Sequence, residues 1–345
     1  MHTLPFLSRR ENIARYEQGQ VYILDRRVYP FEVTYVKCPT YEDVAVAIEK
    51  MVTQSLGPGL VASYGMVLAA RHCNKASKEA IFAELEKAAK RLINTRPTAN
   101  FIYYEVVHLL EIAKKALEQG ENIELALLDE IDQRQADKEK TYQSLGLHGA
   151  SLINDGDSIL NQCWADSYIV YTILAALKQG KKIEAYCCET RPYLQGARLT
   201  ADALGEMGVP TTVITDNMPA YLLSKGKISK FYAGADRVTM DGHVINKIGT
   251  LQIAICAHQY NVPFYALNLG PDRKTATPND LTIEERDPEE VLHCLGIRTA
   301  TNRAKGYYPA FDVTPPKFVS ALVTDRGIFS PFAAADYYHL DTENS

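Results

Sequence analysis

The fold is decided by residues 158–188, "SILNQCWADSYIVYTILAALKQGKKIEAYCC", where a β-type apolar run precedes a helical pattern and a second β-type run. "SILNQ" and "IEAYCC" predict short strands, and the apolar residues of 166–179 predict a helix between them. A strand–helix–strand unit predicts two parallel strands in one sheet. The stretch also places Cys163 beside Trp164, the only tryptophan, where the first strand ends.

The same alternation continues to about residue 267. Further strand-like runs are "PTTVI", "KFYAG" and "VPFYAL", and helix-like runs cover about 195–207, 217–225 and 247–260. Repeated units of this kind predict an α/β fold, with a parallel sheet covered by helices on both faces. Ligands bind beyond the carboxyl ends of the strands in such sheets, so residues directly after the strands are the first candidates for a site.

The first part of the chain predicts a small α+β domain. The runs "VYILDRR" and "FEVTYVKC" predict short strands. Thr40 and Ser77 are predicted N-caps of two amphipathic helices, and longer helices are expected near 101–119 and 121–145. The glycine-bearing segment "GLHGASLINDGD" predicts a domain boundary. The two predicted domains are residues 1–145 and 146–345.

Composition and charge exclude several classes of function. The 345 residues are 46% hydrophobic and 23% charged, which is typical of a globular protein with room for two domains. The net charge of -5 and the absence of a basic stripe argue against binding to nucleic acid or an acidic membrane. Seven cysteines without zinc-type spacing predict no metal site. Their odd number, the absence of a secretory signal and the absence of a long apolar stretch predict a cytoplasmic protein.

Four side chains with useful chemistry follow predicted strands: Cys163, Glu189, Asp216 and Asp236. Most free cysteines are small buried hydrophobic residues, and Cys163 can be interpreted in that way. Its position favours a reactive thiol, because the start of a helix lowers the pKa of a cysteine and favours the thiolate. Asp236 can be a turn cap or a functional carboxylate.

Two segments of the second half could hold an anion. Asn246 and Lys247 precede a predicted helix, whose N-terminus suits an anionic group, although Lys247 could equally be a solvated surface charge. In "ETRPYLQGARLTA", Gln195 opens a helix between Arg191 and Arg198, and Arg is well suited to phosphate. An ordinary helix start is the alternative for this segment.

Two segments of the first half are weaker candidates. Gly57 and Gly59, in a predicted loop at 55–60, would let the backbone approach a phosphate at the start of an apolar helix. The loop lacks the P-loop and dinucleotide-binding patterns. Arg96 precedes Pro97 and, taken alone, indicates the end of a helix.

Several segments, taken together, resemble one family, the methylthioribose-1-phosphate isomerases within the superfamily of initiation-factor-2B-like proteins. They are "ETRPYLQGARLTA", "GADRVTMDGHVINKIGT", "IEERDPEEV" and "PAFDVTPP". The resemblance extends from about "LDRRVYPFEV" to "ALVTDRGI". It implies a Rossmann-like C-terminal domain, a homodimer, a small-molecule sugar phosphate as ligand, and no metal or organic cofactor. The implied reaction is aldose–ketose isomerisation of a 5-substituted ribose 1-phosphate to the ribulose 1-phosphate.

The resemblance also implies roles for individual residues of this chain. Cys163 and Asp236 would be catalytic. The implied substrate-binding residues are Gly57, Gly59, Arg96, Gln195, Asn246 and Lys247.

The sequence departs from the family pattern around the implied site. "NQCWAD" replaces Thr-His-Cys-Asn followed by a small residue and Gly, and Gln54 stands where the family has an arginine of its phosphate loop. Trp164 adds a large apolar surface, and Asp166 adds a carboxylate that would disfavour a second phosphate on C5. Gln54, Trp164 and Asp166 are therefore the candidate specificity residues, and a methylthio- or deoxyribose substrate is favoured.

The implied reaction needs an acid and a group that manages the C2 proton. Burial would keep the Asp236 carboxyl protonated for the first task, and a Cys163 thiolate could perform the second. A hydride shift in a dry site is the alternative route, and the sequence leaves both open. The competing functions are a ribose-1,5-bisphosphate isomerase, a non-catalytic regulatory subunit and a sugar-phosphate sensor.

Overall fold

The computed structural model describes residues 2–73, 75, 77–96 and 100–341. The chain forms two compact units, an N-terminal unit of residues 7–140 and a C-terminal unit of residues 1–6 and 141–345. The division falls inside one helix, Ile123–Ser151, and the predicted boundary between residues 145 and 146 falls in the same helix.

Two glycines that indicated a linker belong to this helix. A Cβ on Gly146 would lie 2.6 Å from the backbone of Tyr171, and one on Gly149 would lie 2.6 Å from the Thr172 hydroxyl. These glycines therefore allow close packing of the helix against a neighbouring segment of the C-terminal unit. Glycine in this stretch serves packing and does not mark a loop.

The N-terminal unit combines a small antiparallel sheet with helices, as predicted. The strands, in sheet order, are β1 Ala14–Glu17, β2 Gln20–Leu24 and β3 Tyr35–Cys38. The helices are α1 Arg10–Ile13, α2 Tyr41–Glu49, α3 Gly57–Arg71, α4 Lys78–Ile93, α5 Asn100–Gln119 and α6 Ile123–Ser151, which continues into the C-terminal unit.

Both predicted N-caps are confirmed. The Thr40 hydroxyl accepts a hydrogen bond from the Asp43 backbone N–H, and the Asp43 carboxylate accepts one from the Thr40 N–H at 3.0 Å, which forms a capping box. The Ser77 hydroxyl accepts from the Ala80 N–H at 3.2 Å. Helix α3 is buried along nearly its whole length, and the core of this unit packs around it.

The C-terminal unit contains a seven-stranded sheet in the order β15-β14-β10-β7-β4-β5-β6. All five predicted strands are confirmed, and they run parallel to one another. These are β4 Ser158–Gln162, β5 Glu184–Cys188, β6 Thr211–Ile214, β7 Lys230–Gly234 and β10 Phe264–Leu267. Two more strands complete the sheet: β14 Ala321–Val323, which is parallel, and β15 Ile328–Phe329, which is antiparallel.

The predicted helices of this unit are present with shorter bounds. They are α7 Ser167–Lys178, a π-helical turn Gly196–Thr200 with α8 Ala201–Glu206, α9 Pro219–Ser224 and α10 Thr250–Gln259, and a short α11 Glu289–Leu292 follows. Short 3₁₀ segments cover Phe6–Ser8, Pro278–Asp280, Pro316–Phe318 and Pro331–Asp341. Within the described residues, no helix is both long and apolar enough to cross a bilayer.

The C-terminal unit also contains a small sheet that was not predicted. This sheet changes the secondary structure assigned to Lys247. The sheet contains β8 Arg237–Val238, β9 Val244–Lys247 and β13 Phe311–Thr314, with a separate hairpin of β11 His293–Cys294 and β12 Ile297–Arg298. Lys247 ends a strand and does not begin a helix, because Asn246 and Lys247 pair with Asp312 and Phe311 of β13. That partner strand is distant in the sequence, so local periodicity could not reveal it.

Candidate active site

Cys163 stands directly after β4, in the middle of the large sheet. Its φ of 64° is unusual for a residue other than glycine, and two hydrogen bonds hold its backbone there. The Cys163 N–H donates to the Thr190 hydroxyl at 3.1 Å, and the Thr200 hydroxyl donates to the Cys163 carbonyl at 2.5 Å. The position of the thiol is therefore fixed by the loops that follow β4 and β5.

Asp216, a strand-end candidate from the sequence, has a supporting role in this arrangement. Its two carboxylate oxygens accept hydrogen bonds from the backbone N–H groups of Thr190 and Arg191, at 2.8 and 2.7 Å. The Thr190 hydroxyl in turn donates to the Cys188 carbonyl at 3.1 Å while it accepts from Cys163. Asp216 thus fixes the loop that positions Cys163.

Burial raises the pKa of the Cys163 thiol to about 11. The Lys247 ammonium and a hydrogen bond from the Trp164 backbone oppose this rise, whereas Asp236 and Asp216 add to it. The predicted lowering of the pKa is therefore wrong. Helix α7 begins only at Ser167, so Cys163 is not in its first turn, and removal from water has a larger effect than the nearby ammonium.

Asp236 follows β7, the neighbour of β4 in the sheet, and its side chain is exposed. The expectation that the Asp236 carboxyl is buried is therefore wrong for this structure. The carboxylate lies near enough to Cys163 to raise the pKa of the thiol, and it also raises the pKa of Tyr168. The two residues expected to be catalytic thus act on each other electrostatically.

Asn246 and Lys247 are buried at the end of β9. The Asn246 side-chain amide donates to the Thr250 hydroxyl at 2.9 Å. The Lys247 ammonium lies 4.6 Å from the ring centre of Phe311 and 5.9 Å from that of Tyr308. Lys247 is therefore not the solvated surface charge of the alternative interpretation. It is a buried cation between aromatic rings that lowers the pKa of Cys163.

Gln195 is buried just before the π-helical turn that follows β5. A Cβ on Gly196 would lie 1.7 Å from the Cys188 carbonyl oxygen, so only glycine permits this approach to the end of β5. Within the described residues, Oε1 of Gln195 has no hydrogen-bond partner. The arrangement thus places a buried, unpartnered amide oxygen beside the carboxyl edge of the sheet.

Trp164 and Asp166 are almost completely buried, with 5% and 1% of their surfaces exposed. Nε1 of Trp164 finds no acceptor among the described residues. Asp166 occupies the N-cap position of α7 with a φ of 49°, and its side chain does not cap the helix backbone. Both residues belong to the interior that surrounds the thiol.

Asp312 is a site residue that the sequence analysis missed. Its carboxylate accepts hydrogen bonds from the backbone N–H groups of Gly249, at 2.7 Å, and Leu251, at 3.1 Å, at the start of α10. Burial raises the pKa of Asp312 to about 6 although these bonds and Lys247 oppose the rise. The segment "PAFDVTPP" carried a family resemblance, but nothing in it indicated that Asp312 faces Asn246 across a strand pair.

The candidates of the N-terminal unit lie at the starts and ends of its helices. Gly57 and Gly59 are buried in the first turn of α3, so only residues 55 and 56 of the predicted loop 55–60 precede the helix. A Cβ on Gly57 would lie 2.2 Å from the Thr53 hydroxyl oxygen. Arg96 is half-buried after α4, and residues 97–99 of its motif lie outside the described residues.

Gln54 is buried, and its environment differs from that of a surface loop residue. Its carbonyl oxygen accepts a hydrogen bond from the fully buried guanidinium of Arg26 at 2.8 Å. Its side-chain amide reaches the Met51 carbonyl at 3.4 Å, and Oε1 has no partner within the described residues. Gln54 and Thr53 therefore both present unpartnered buried oxygens before α3.

Unpartnered polar atoms of the C-terminal unit concentrate near Cys163. Among the described residues, Gln162 Oε1, Trp164 Nε1, Gln195 Oε1 and the Tyr308 hydroxyl are buried without a hydrogen-bond partner. Gln162 and Trp164 flank the cysteine, and Tyr308 interacts with it electrostatically. Buried polar groups are nearly always satisfied in folded proteins, so such a cluster indicates a place where a polar ligand binds.

The C-terminal unit thus brings Asp236 and Lys247 within electrostatic reach of Cys163, with Gln195 at the neighbouring strand end. In the described part of the chain, no group of three or more His, Cys, Asp or Glu side chains is arranged to hold a metal ion. A parallel sheet with a thiol, a carboxylate and a buried cation at its carboxyl edge defines an α/β protein with an active-site-like cluster.

Comparisons with known proteins identify the family. The model of the initiation factor 2 subunit family matches residues 54–331. The chain is 38% identical over 322 residues to a methylthioribose-1-phosphate isomerase of Thermosipho africanus, covering 90% of this chain and 93% of the relative. The chain belongs to the initiation factor 2 subunit family, and within it to the methylthioribose-1-phosphate isomerase group.

Two solved structures are similar over nearly the whole length. The 5-methylthioribose 1-phosphate isomerase of Pyrococcus horikoshii is 31% identical, with a TM-score of 0.85 and 96% coverage of both chains. The delta subunit of translation initiation factor eIF-2B from A. fulgidus is 32% identical, with a TM-score of 0.80 and coverage of 95% of this chain and 96% of that one.

Proposed function

We propose that this protein is an aldose–ketose isomerase that converts a 5-substituted ribose 1-phosphate into the matching ribulose 1-phosphate. The observation that carries the proposal is the cluster of unpartnered buried polar atoms around Cys163, at the carboxyl edge of a parallel sheet. A sugar offers hydroxyl groups that would satisfy such atoms. The name shared by the Thermosipho and Pyrococcus relatives supports the reaction type.

We assign the acid and base steps to Cys163 and Asp236. Phosphate on C1 prevents simple opening of the sugar ring, so the ring oxygen must receive a proton as the C1–O bond breaks. The high pKa of Cys163 leaves the thiol protonated at neutral pH, which suits this donation. The C2 proton is then removed and a proton is returned to C1, or a hydride moves directly from C2 to C1. In either route the C2 hydroxyl loses its proton, which leaves a ketone at C2 and restores the proton that the ring oxygen received.

We assign binding of the substrate to side chains that suit its phosphate group and to side chains that suit its sugar hydroxyls. Lys247 supplies a buried positive charge, and the amides of Gln195 and Asn246 supply hydrogen bonds. Roles for Gly57, Gly59 and Arg96 remain predictions from the resemblance. The proposed specificity residues are Gln54, Trp164 and Asp166. Trp164 adds apolar area near Cys163 and Asp166 adds a carboxylate, which favours methylthioribose or 5-deoxyribose 1-phosphate over ribose 1,5-bisphosphate.

Turnover of the purified protein tests the proposal. Methylthioribose 1-phosphate, 5-deoxyribose 1-phosphate and ribose 1,5-bisphosphate are incubated separately, and ketose formation is followed by NMR. We expect conversion of the first two, and a loss of about a hundredfold or more in kcat for Cys163→Ala and Asp236→Asn, because each removes a proton-transferring group. Cys256→Ala, a change at a partly exposed cysteine of α10, is the matched control and keeps full activity.

Two outcomes would contradict the proposal: a fully active Cys163→Ala variant, or no turnover of any of the three substrates. Reaction in D₂O separates the two routes, because a proton exchanged through Cys163 or Asp236 introduces deuterium at C1, whereas a hydride shift does not.

A second candidate function is binding of a sugar phosphate without turnover. It is supported by Gln54, which stands in place of a phosphate-binding arginine, and by the similarity to a translation initiation factor subunit. A rise in melting temperature with methylthioribose 1-phosphate, combined with no turnover, would favour this function.

We also propose that the protein is a homodimer located in the cytoplasm. Both proposals rest on the resemblance and on the sequence. Sedimentation equilibrium of the purified chain would distinguish a dimer from a monomer or a tetramer.

A further inference from the structure

We propose that the hydroxyl group of Tyr308 binds a hydroxyl of the substrate's sugar beside Cys163. This inference rests on the proposed function and adds a substrate-binding residue to it. Tyr308 is 2% exposed, and its hydroxyl has no hydrogen-bond partner within the described residues. It precedes β13 and lies outside every residue set that the sequence analysis singled out.

Tyr308 faces the candidate site. The ammonium of Lys247 lies 5.9 Å from its ring centre. Cys163 also lies near enough to raise the pKa of the Tyr308 hydroxyl, although no hydrogen bond joins the two groups. Tyr308 thus lies near both the thiol and the buried cation, to which the proposed function assigns roles in the reaction and in substrate binding.

Arg286 and Tyr193 contact the backbone and the ring of Tyr308. Its carbonyl oxygen accepts a hydrogen bond from the Arg286 N–H at 2.9 Å, and its ring centre lies 6.3 Å from that of Tyr193. The Arg286 guanidinium lies 5.6 Å from the Tyr193 ring. Because the side chain is almost completely buried beside these groups, its ring has little room to change rotamer.

An unpartnered buried hydroxyl destabilises a folded protein, and phenylalanine would fill the same space without that cost. The hydroxyl at this position therefore does not stabilise the free protein. A bound substrate would supply its hydrogen-bond partner, because a sugar hydroxyl can both donate and accept a hydrogen bond. The same reasoning predicts that the hydroxyl costs stability and contributes activity.

The test compares Tyr308→Phe with Tyr307→Phe. Tyr307 is 70% exposed and its hydroxyl bonds to Glu285, so the control makes the same chemical change next to the site. With methylthioribose 1-phosphate, we expect Tyr308→Phe to lower kcat/KM about tenfold, which is the effect of one lost hydrogen bond. The melting temperature of its free form should equal or exceed that of the wild type. Tyr307→Phe should keep kcat/KM within twofold.

Each outcome is decisive. Reduced kcat/KM with unchanged or raised stability supports the inference, since a purely structural tyrosine would lose both together. Activity of Tyr308→Phe within twofold of an active wild type overturns this inference and leaves the proposed function intact. A fall in melting temperature in parallel with activity also overturns it. Absence of turnover in the wild type overturns the proposed function and this inference with it.

Discussion

Burial has the largest effect on the pKa of the Cys163 thiol, and hydrogen bonds fix the backbone of this residue. Two threonine hydroxyls fix its backbone in a left-handed conformation, and Asp216 fixes the loop that carries one of them. Lys247 opposes burial by favouring the thiolate. The resulting pKa of about 11 means that the free protein presents a thiol with a proton to donate, and that its thiolate is scarce at neutral pH.

The rate of alkylation of Cys163 should follow this pKa. Only the thiolate reacts with iodoacetamide, so the rate should rise about tenfold per pH unit between pH 7 and pH 10. Lys247→Met removes the charge that lowers the pKa and should slow alkylation at pH 9 by about threefold to tenfold. Mass spectrometry of the Cys163 peptide measures both effects.

Lys225→Met is the matched control for this experiment, because Lys225 lies over the ring of Tyr221 in α9, and it does not act on the thiol. It should leave the rate unchanged. A rate that levels off below pH 9 would show that burial does not dominate at Cys163. A rate that does not respond to Lys247→Met would show that the Lys247 charge does not lower the pKa of the thiol.

At the scale of elements, runs of apolar residues predicted five of the seven strands of the large sheet, but not β14, β15 or the sheet of β8, β9 and β13. The buried strands β4, β5, β6, β7 and β10 are local patterns, whereas β9 becomes a strand only by pairing with β13. The sequence therefore located Cys163 at a strand end, but it could not reveal that Lys247 is buried or that Asp312 faces Asn246. The pKa of Cys163 was likewise unpredictable, because its burial depends on residues distant in the sequence.

The pairing of β9 with β13 has a consequence for helix α10. It brings the Asp312 carboxylate to the first turn of that helix, where it accepts hydrogen bonds from Gly249 and Leu251. Because its native pKa of about 6 exceeds the unfolded value of about 4, the native state binds the proton more tightly. The contribution of Asp312 is thus fully present below pH 4 and is lost as the pH rises through 6.

Asp312→Asn should remove this pH dependence. The wild type should lose up to about 3 kcal/mol of its free energy of unfolding between pH 4 and pH 6 through this residue, and the variant should lack that decrease. Urea denaturation at several pH values measures the difference in slope. Asp280→Asn, at an exposed aspartate that accepts a hydrogen bond from the Thr277 N–H, is the control and should preserve the wild-type slope. Parallel slopes for the wild type and Asp312→Asn would contradict the prediction.

At the scale of the whole molecule, each unit has a hydrophobic core of its own among the described residues. That of the N-terminal unit surrounds α3, and it draws its buried residues only from positions 14–131. That of the C-terminal unit draws its buried residues from positions 160–334 and covers one face of the large sheet. The sequence indicated this organisation through two different patterns, short strands followed by helices and then strict alternation. It placed the boundary between residues 145 and 146, close to the division between residues 140 and 141, but the glycines that indicated it belong to α6 and serve packing.

Separate cores predict separate responses to a cavity. Leu85 of α4 is fully buried, and Leu85→Ala should cost about 2–5 kcal/mol in the N-terminal unit. Hydrogen exchange measured by mass spectrometry should increase in peptides from residues 41–119 and remain unchanged in those from residues 158–188. Leu125→Ala makes the same change at a side chain that is 57% exposed and should affect neither. Equal acceleration in both regions would show that the two units open as one cooperative structure, and the division into two cores would then have no thermodynamic meaning.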